Sequence, residues 1–185
     1  MLNTLFAETK DRMEKTLASL DKELLRVRTG RASANLLDGV RVDYYGTPTQ
    51  LSQMATIAVP ESRLITIQPW DVSVIKDIEK AILGANMGLT PSNDGKIIRL
   101  SIPPLTEDRR KELVKGMAKT CEEFKVALRN IRRDANEDIK TLKKDGEISE
   151  DEAFKAQDDI QKSTDAFIKK IDEAYKTKEQ EILEF

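Results

Sequence analysis

Three arginines stand within five residues, Arg129, Arg132 and Arg133 of "VALRNIRRDAN", and two more, Arg28 and Arg31, flank Thr29 and Gly30 in "VRTGRAS". A guanidinium is planar, permanently charged and forked, so it meets phosphate or carboxylate oxygens two at a time. Clustered arginines therefore suit a polyanion or an acidic protein face. Other chemistries are poorly supplied. The 185 residues include no histidine and one cysteine, Cys121, which removes the usual general base, the commonest metal ligand and any intrachain disulfide. There is no GxxxxGK[ST] phosphate loop and no GxGxxG, and "GANMG" at 84–88 has the wrong spacing for either. With 33 acidic residues, a pair of carboxylates reads as a solvated face. An enzyme is not expected, nor a bound cofactor or metal.

The elements that must position the arginines follow from hydrophobic periodicity. Apolar residues at 2, 5, 6, 13, 17, 20, 24 and 27 form one stripe of a long first helix, which Gly30 is expected to close from a left-handed conformation. A second stripe runs through 113, 117, 121, 124, 128, 131, 135, 139 and 142, and includes Cys121, read as core filler. Thr106 is placed as its N-cap, with Glu107 and Asp108 in the first turn. Lys143, Lys144 and Gly146 mark its end. Ser149 and Glu152 have the spacing of a capping box for a last helix carrying Ile160, Thr164, Phe167, Ile168, Ile171, Tyr175 and Ile182. None of the three helices could bury its stripe alone, so an elongated antiparallel bundle is expected.

Between the first helix and the other two the pattern changes. "GVRVDYY", "MATIAV", "SRLITIQPW" and "KIIRLSI" read as strands, "GTPTQ" as a turn, and Val74, Ile75, Ile78, Ile82 and Leu83 as a short helix ended by Gly84 or Gly88. Trp70, at a strand end, is expected to be a packing anchor. The fold class is therefore α+β: a three-helix bundle from 1–30 and 105–185, with an inserted β/α/β domain at 31–104.

Net charge is only −2, but the charges are sorted. Residues 109–144 hold twelve Lys and Arg against six Asp and Glu, residues 145–185 six against thirteen, and residues 31–104 seven of each. On a helical wheel Arg129, Arg132, Arg133, Lys111, Lys115, Lys125, Lys140 and Lys143 share one flank, with Arg132 closest to the apolar stripe. Charge alone leaves two readings open. The cations could pair with the acidic last helix or an acidic protein partner, as in a helical adaptor or chaperone. They could equally track the phosphates of RNA, and without interleaved aromatics on that helix the RNA would be folded or helical. No apolar run is long enough for a membrane span, the N-terminus has no signal-peptide h-region, and no aromatic accompanies the basic flank. No membrane partner is expected, and a cytoplasmic monomer is.

"VRTGRAS", "LLDGVRVDYYGTPTQL", "IPPLTEDRRKEL", "VALRNIRRDAN" and "ISEDEAFKAQDDIQKSTDAFIKKID", in this order over nearly the whole chain, together resemble the bacterial ribosome recycling factors. The resemblance implies an L-shaped molecule, with the inserted domain on a hinge. It also implies a non-catalytic role: binding the post-termination ribosome at the subunit interface and, with elongation factor G and GTP hydrolysis, splitting it into subunits and releasing mRNA and tRNA. The bundle would contact large-subunit ribosomal RNA through Arg28, Arg31, Arg129, Arg132 and Arg133, with Arg109 and Arg110 as weaker candidates. The hinge would comprise Thr29, Gly30 and Arg31 on one connection and Pro103, Pro104 and Leu105 on the other.

Overall fold

The computed structural model describes residues 1–184; Phe185, part of the expected 105–185 segment, lies outside the described residues. Two compact units emerge, one from Met1–Val27 with Asp108–Glu184 and the other from Arg28–Glu107. No helix among the described residues is long and apolar enough to cross a membrane.

The first unit is built from three long helices, α1 (Leu2–Arg26), α3 (Glu107–Lys144) and α4 (Glu150–Leu183). Their stripes meet in two clusters. Met13, Leu20, Met117, Leu128, Phe167 and Ile171 fill one, while Ala135, Ile139, Ala153, Ala156 and Ile160 fill the other. Cys121 is buried in the first cluster, and burial pushes its thiol pKa up, away from the reactive thiolate. Thr164 is fully buried and satisfied, its hydroxyl donating to the Ile160 carbonyl at 2.7 Å.

Local sequence sets the turn between α3 and α4. Gly146, at φ +75°, sends its N–H to the Lys143 carbonyl, and the Glu147 N–H reaches Leu142 O at 3.0 Å. This is a Schellman closure, which satisfies two of the carbonyls a helix end leaves open. Ser149 and Glu152 then form the anticipated capping box, with Ser149 N–H donating to Glu152 Oε2 at 2.8 Å.

The second unit pairs a hairpin, β1 (Arg41–Tyr44) with β2 (Thr47–Gln50), with a four-stranded antiparallel sheet. The sheet order is β3 (Ala55–Glu61), β4 (Leu64–Pro69), β6 (Ile98–Ser101), β5 (Pro91–Asn93). Ile65 and Ile67 on β4, Ile98 and Leu100 on β6, and Ile75, Ile78 and Ile82 from α2 (Ile75–Gly84) build its core. Alternate residues of the central strands turn inward, as one-sided burial demands.

Three expectations need correction. "GTPTQ" is not wholly a turn: Thr47–Gln50 is a strand, and the reversal is the pair Tyr45 (φ 49°) and Gly46 (φ 82°), both left-handed as a two-residue hairpin requires. A proline at 48 hides β2 from propensity, yet among the described residues this strand pairs only with β1 and spares the missing donor. The short helix α2 ends at Gly84, the first of its two expected stops, and Asn86 (φ 49°) supplies a left-handed turn ahead of Gly88. Gly30 is left-handed at φ +81°, but α1 has already stopped at Arg26 with an extended Val27 cap, so Gly30 shapes the connection rather than the helix end. Trp70 is not a packing anchor: it is 69% exposed, held only at its edge by an Nε1–H bond to Thr56 Oγ1 at 3.2 Å.

Candidate nucleic-acid interface

The three clustered arginines all project from one flank of α3, but their surroundings differ. Arg132 is half-buried, and its Nη1–H donates to Gln161 Oε1 of α4 at 2.8 Å. Gln161 is steadied in turn by donating its amide to Asp165 Oδ1 at 2.8 Å. A neutral amide fixes the guanidinium without cancelling its charge, which is what an anion-binding group needs. Arg129 contacts Glu122 of its own helix at 2.9 Å, both side chains facing solvent, where such a pair is screened and exchangeable. Arg133 is exposed, and no carboxylate among the described residues lies within ion-pairing distance of it.

The rest of the flank shows how far the acidic helix neutralises the basic one. Lys125 reaches Asp172 of α4 at 2.5 Å, with only 20% of its side chain exposed, and Lys143 meets Glu150 at 2.7 Å. These lysines stitch α3 to α4, while Arg12 of α1 bonds Asp134 on another side of α3 at 2.7 Å. Pairing with the acidic helix therefore consumes lysines and leaves Arg132 and Arg133 without a carboxylate among the described residues, Arg129 alone of the three being paired, and within its own helix.

The remaining site residues have other surroundings. Arg109 sits beside Glu112 at 2.9 Å. Arg110 is half-buried and points to the end of α4, donating to the Leu183 carbonyl at 3.4 Å, with its Nε buried and unpartnered among the described residues. A cation at a helix C-terminus offsets the negative end of the dipole, so Arg110 serves the bundle. It is also about 30 Å along α3 from Arg132 at the helical rise of 1.5 Å per residue.

Arg28 and Arg31 belong to the second unit. Arg28 donates from Nη2 to the Met87 carbonyl, beside Gly88. Arg31 is exposed, and its backbone N–H points to Thr29 Oγ1 at 3.4 Å. All the expected hinge residues, Thr29, Gly30, Arg31, Pro103, Pro104 and Leu105, fall inside this unit. Thr29 and Gly30 are buried, and a Cβ on Gly30 would meet Leu105 Cγ at 3.5 Å. The two connections are also pinned to the same reversal, Ala32 N–H to Ser62 O at 2.7 Å and Ile102 N–H to Arg63 O at 2.8 Å.

Sequence reasoning missed Gln161. It lies 29 residues from Arg132, and no local signal couples a glutamine on one helix to an arginine on another.

Known proteins resemble the chain along its whole length. The family model described as ribosome recycling factor matches residues 20–183. A ribosome-recycling factor of Desulfatibacillum aliphaticivorans is 66% identical over 185 residues, all of both chains. One from Solidesulfovibrio magneticus is 63% identical, covering 99% of this chain and all of the relative. A solution structure of a ribosome recycling factor superposes with a TM-score of 0.80 at 40% identity, covering 100% of this chain and 98% of the other. A second, with a TM-score of 0.67 at 47% identity and 99% coverage of both chains, comes from models of the T. thermophilus factor and E. coli elongation factor G bound to the E. coli post-termination complex. A bundle with a basic α3, a small sheet unit inserted after α1, and this full-length similarity establish that the chain belongs to the ribosome recycling factor family.

Proposed function

We propose that the α3 flank of Arg129, Arg132 and Arg133 binds phosphates of large-subunit ribosomal RNA in the post-termination ribosome. There, in the bacterial cytoplasm, the protein acts with elongation factor G to separate the subunits, releasing mRNA and tRNA. The observation that carries this reading is the uncompensated charge at the centre of the flank: Arg132 rests on a neutral amide and Arg133 has no carboxylate partner among the described residues. The relative bound with elongation factor G on a post-termination complex supports the same partners. GTP hydrolysis belongs to the elongation factor; this chain supplies binding and leverage.

The leverage resides in the paired connections. Ala32 and Ile102 are fastened to one β-turn, which leaves the short segments outside them to carry the proposed bending. Arg28 and Arg31 lie in one of those segments and are further candidates for phosphate contacts.

Arg132→Ala is expected to abolish sedimentation with large subunits while the far-ultraviolet circular dichroism stays helical. The wild-type affinity should fall steeply with salt, and each arginine removed should flatten the log–log slope by about one, as one phosphate contact and its released counterion are lost. A folded Arg132→Ala protein that binds normally, or a salt-insensitive wild type, would sink the RNA reading and favour an adaptor that meets protein.

A further inference from the structure

Phe154 of α4 is 74% exposed, whereas Phe6 and Phe124 are half-buried and Phe167 is a core residue. Its place relative to the basic flank follows from two cross-helix contacts. Arg132 meets Gln161 at 2.8 Å and Lys143 meets Glu150 at 2.7 Å. The paired positions are equally spaced on each helix, so the antiparallel register holds between them. Phe154 is one turn beyond Glu150 and about two turns before Gln161, hence on the same edge of α4. It stands level with Ile139 and Lys140 of α3, about 9 Å along the bundle from Arg133 at 1.5 Å per residue. The carboxylates four residues to either side are both engaged, Glu150 by Lys143 and Asp158 by Lys162 at 2.6 Å, while Asp151, three residues before the ring, forms no ion pair among the described residues. An exposed apolar ring therefore lies at the edge of a cationic flank, with the carboxylates at i−4 and i+4 each paired to a lysine.

We infer that Phe154 is a stacking platform for an unpaired nucleobase adjoining the RNA phosphates held by Arg129, Arg132 and Arg133. This rests on the RNA reading above and refines it. Cations alone recognise the backbone of any folded RNA, whereas an exposed ring within a few nucleotides of them selects a place where a base leaves the helix, in a loop or bulge. Phe124, the one aromatic of α3, packs against the bundle core, so the exposed ring comes from the neighbouring helix.

The test is binding of full-length variants to purified large ribosomal subunits across a salt series. Stacking on an aromatic is sequence-tolerant and independent of counterion release. Phe154→Ala should therefore weaken binding roughly 5- to 100-fold with an unchanged salt slope. Phe154→Trp should bind as well as wild type or better, and Phe154→Leu, apolar but without a π-face, should behave like Phe154→Ala. Circular dichroism confirms that each variant is folded. Wild-type affinity in Phe154→Ala, or full rescue by leucine, would overturn the stacking role while leaving the arginine contacts standing. Salt-independent binding by the wild type would remove the RNA reading, and this proposal with it.

Discussion

The two units solve the problem of a surface in opposite ways. The helical unit segregates its charge: α3 is strongly basic, α4 strongly acidic, and Lys125 and Lys143 at their seam are spent on Asp172 and Glu150 while Arg132 and Arg133 meet no carboxylate among the described residues. The inserted unit is balanced in charge at residues 31–104, and its exposed large apolar side chains are Tyr45 at 81%, Trp70 at 69%, Leu83 at 54%, Val72 at 52% and Val59 at 40%. A net charge of −2 averages over both and describes neither. The lesson is that a polyanion-binding face needs local excess rather than global charge, and that the excess must survive internal pairing.

The strongest way to break the comparison is to attack the two cores separately. Leu128→Ala in the bundle and Ile65→Ala in the sheet unit each remove a fully buried side chain and should cost about 2–5 kcal/mol. Hydrogen exchange should show lost amide protection confined to the unit carrying the substitution. Loss in both units from either change would mean a single cooperative core.

A smaller effect sharpens the boundary between the units. Gly30→Ala forces a left-handed conformation on a residue with a Cβ, at a cost of roughly 1–2 kcal/mol. Gly39→Ala, at ordinary φ with open space around the added carbon, should be near neutral. Denaturation followed by the fluorescence of Trp70, the one tryptophan, reads both in the inserted unit. Equal effects at the two glycines would show that Gly30 does not hold the connection in place.

The smallest expected effect is electrostatic. Asp94, in the turn before β6, accepts the Ile97 and Lys96 N–H groups at 2.9 and 3.0 Å and pairs with Arg99 at 2.9 Å. The backbone N–H of Ile97, then that of Lys96 and the Arg99 side chain, hold its pKa at about 2, below the 3.8 of an unperturbed aspartate. Because the folded value is depressed, the carboxylate's stabilising contribution is complete above pH 3.8 and disappears as pH falls through about 2. A carboxyl titration followed by NMR should find this midpoint, and Arg99→Gln should raise it while leaving most of the shift. A midpoint near 3.8 in the intact protein would discount the turn.

Much of the helical unit is legible from neighbours in the chain. The Ser149–Glu152 box and the Gly146 stop each act across a few residues, and the stripes of α1, α3 and α4 recur at a helical period, so residue type and spacing suffice. The sheet unit was less so. Strand β2 contains a proline and β5 is three residues long and begins with one; both exist because the adjoining strand of their hairpin offers them partners, Thr49 to Val42 and Ser92 to Arg99. Trp70 shows the same limit: a large ring at a strand end reads as core until its face of the sheet is known.

The candidate site divides along the same line. Residue types and helical periodicity alone set the sign of α3, the clustering of Arg129, Arg132 and Arg133 on one flank, and Arg132's place nearest the apolar stripe. Folding decided which of those charges stay available. It gave Lys125 to Asp172 and Arg132 to a neutral Gln161, and it laid Phe154 beside them. The reason is physical: periodicity is a property of one helix, whereas neutralisation depends on which edge of a second helix comes within about 4 Å, and that edge is selected by the packing of both apolar stripes.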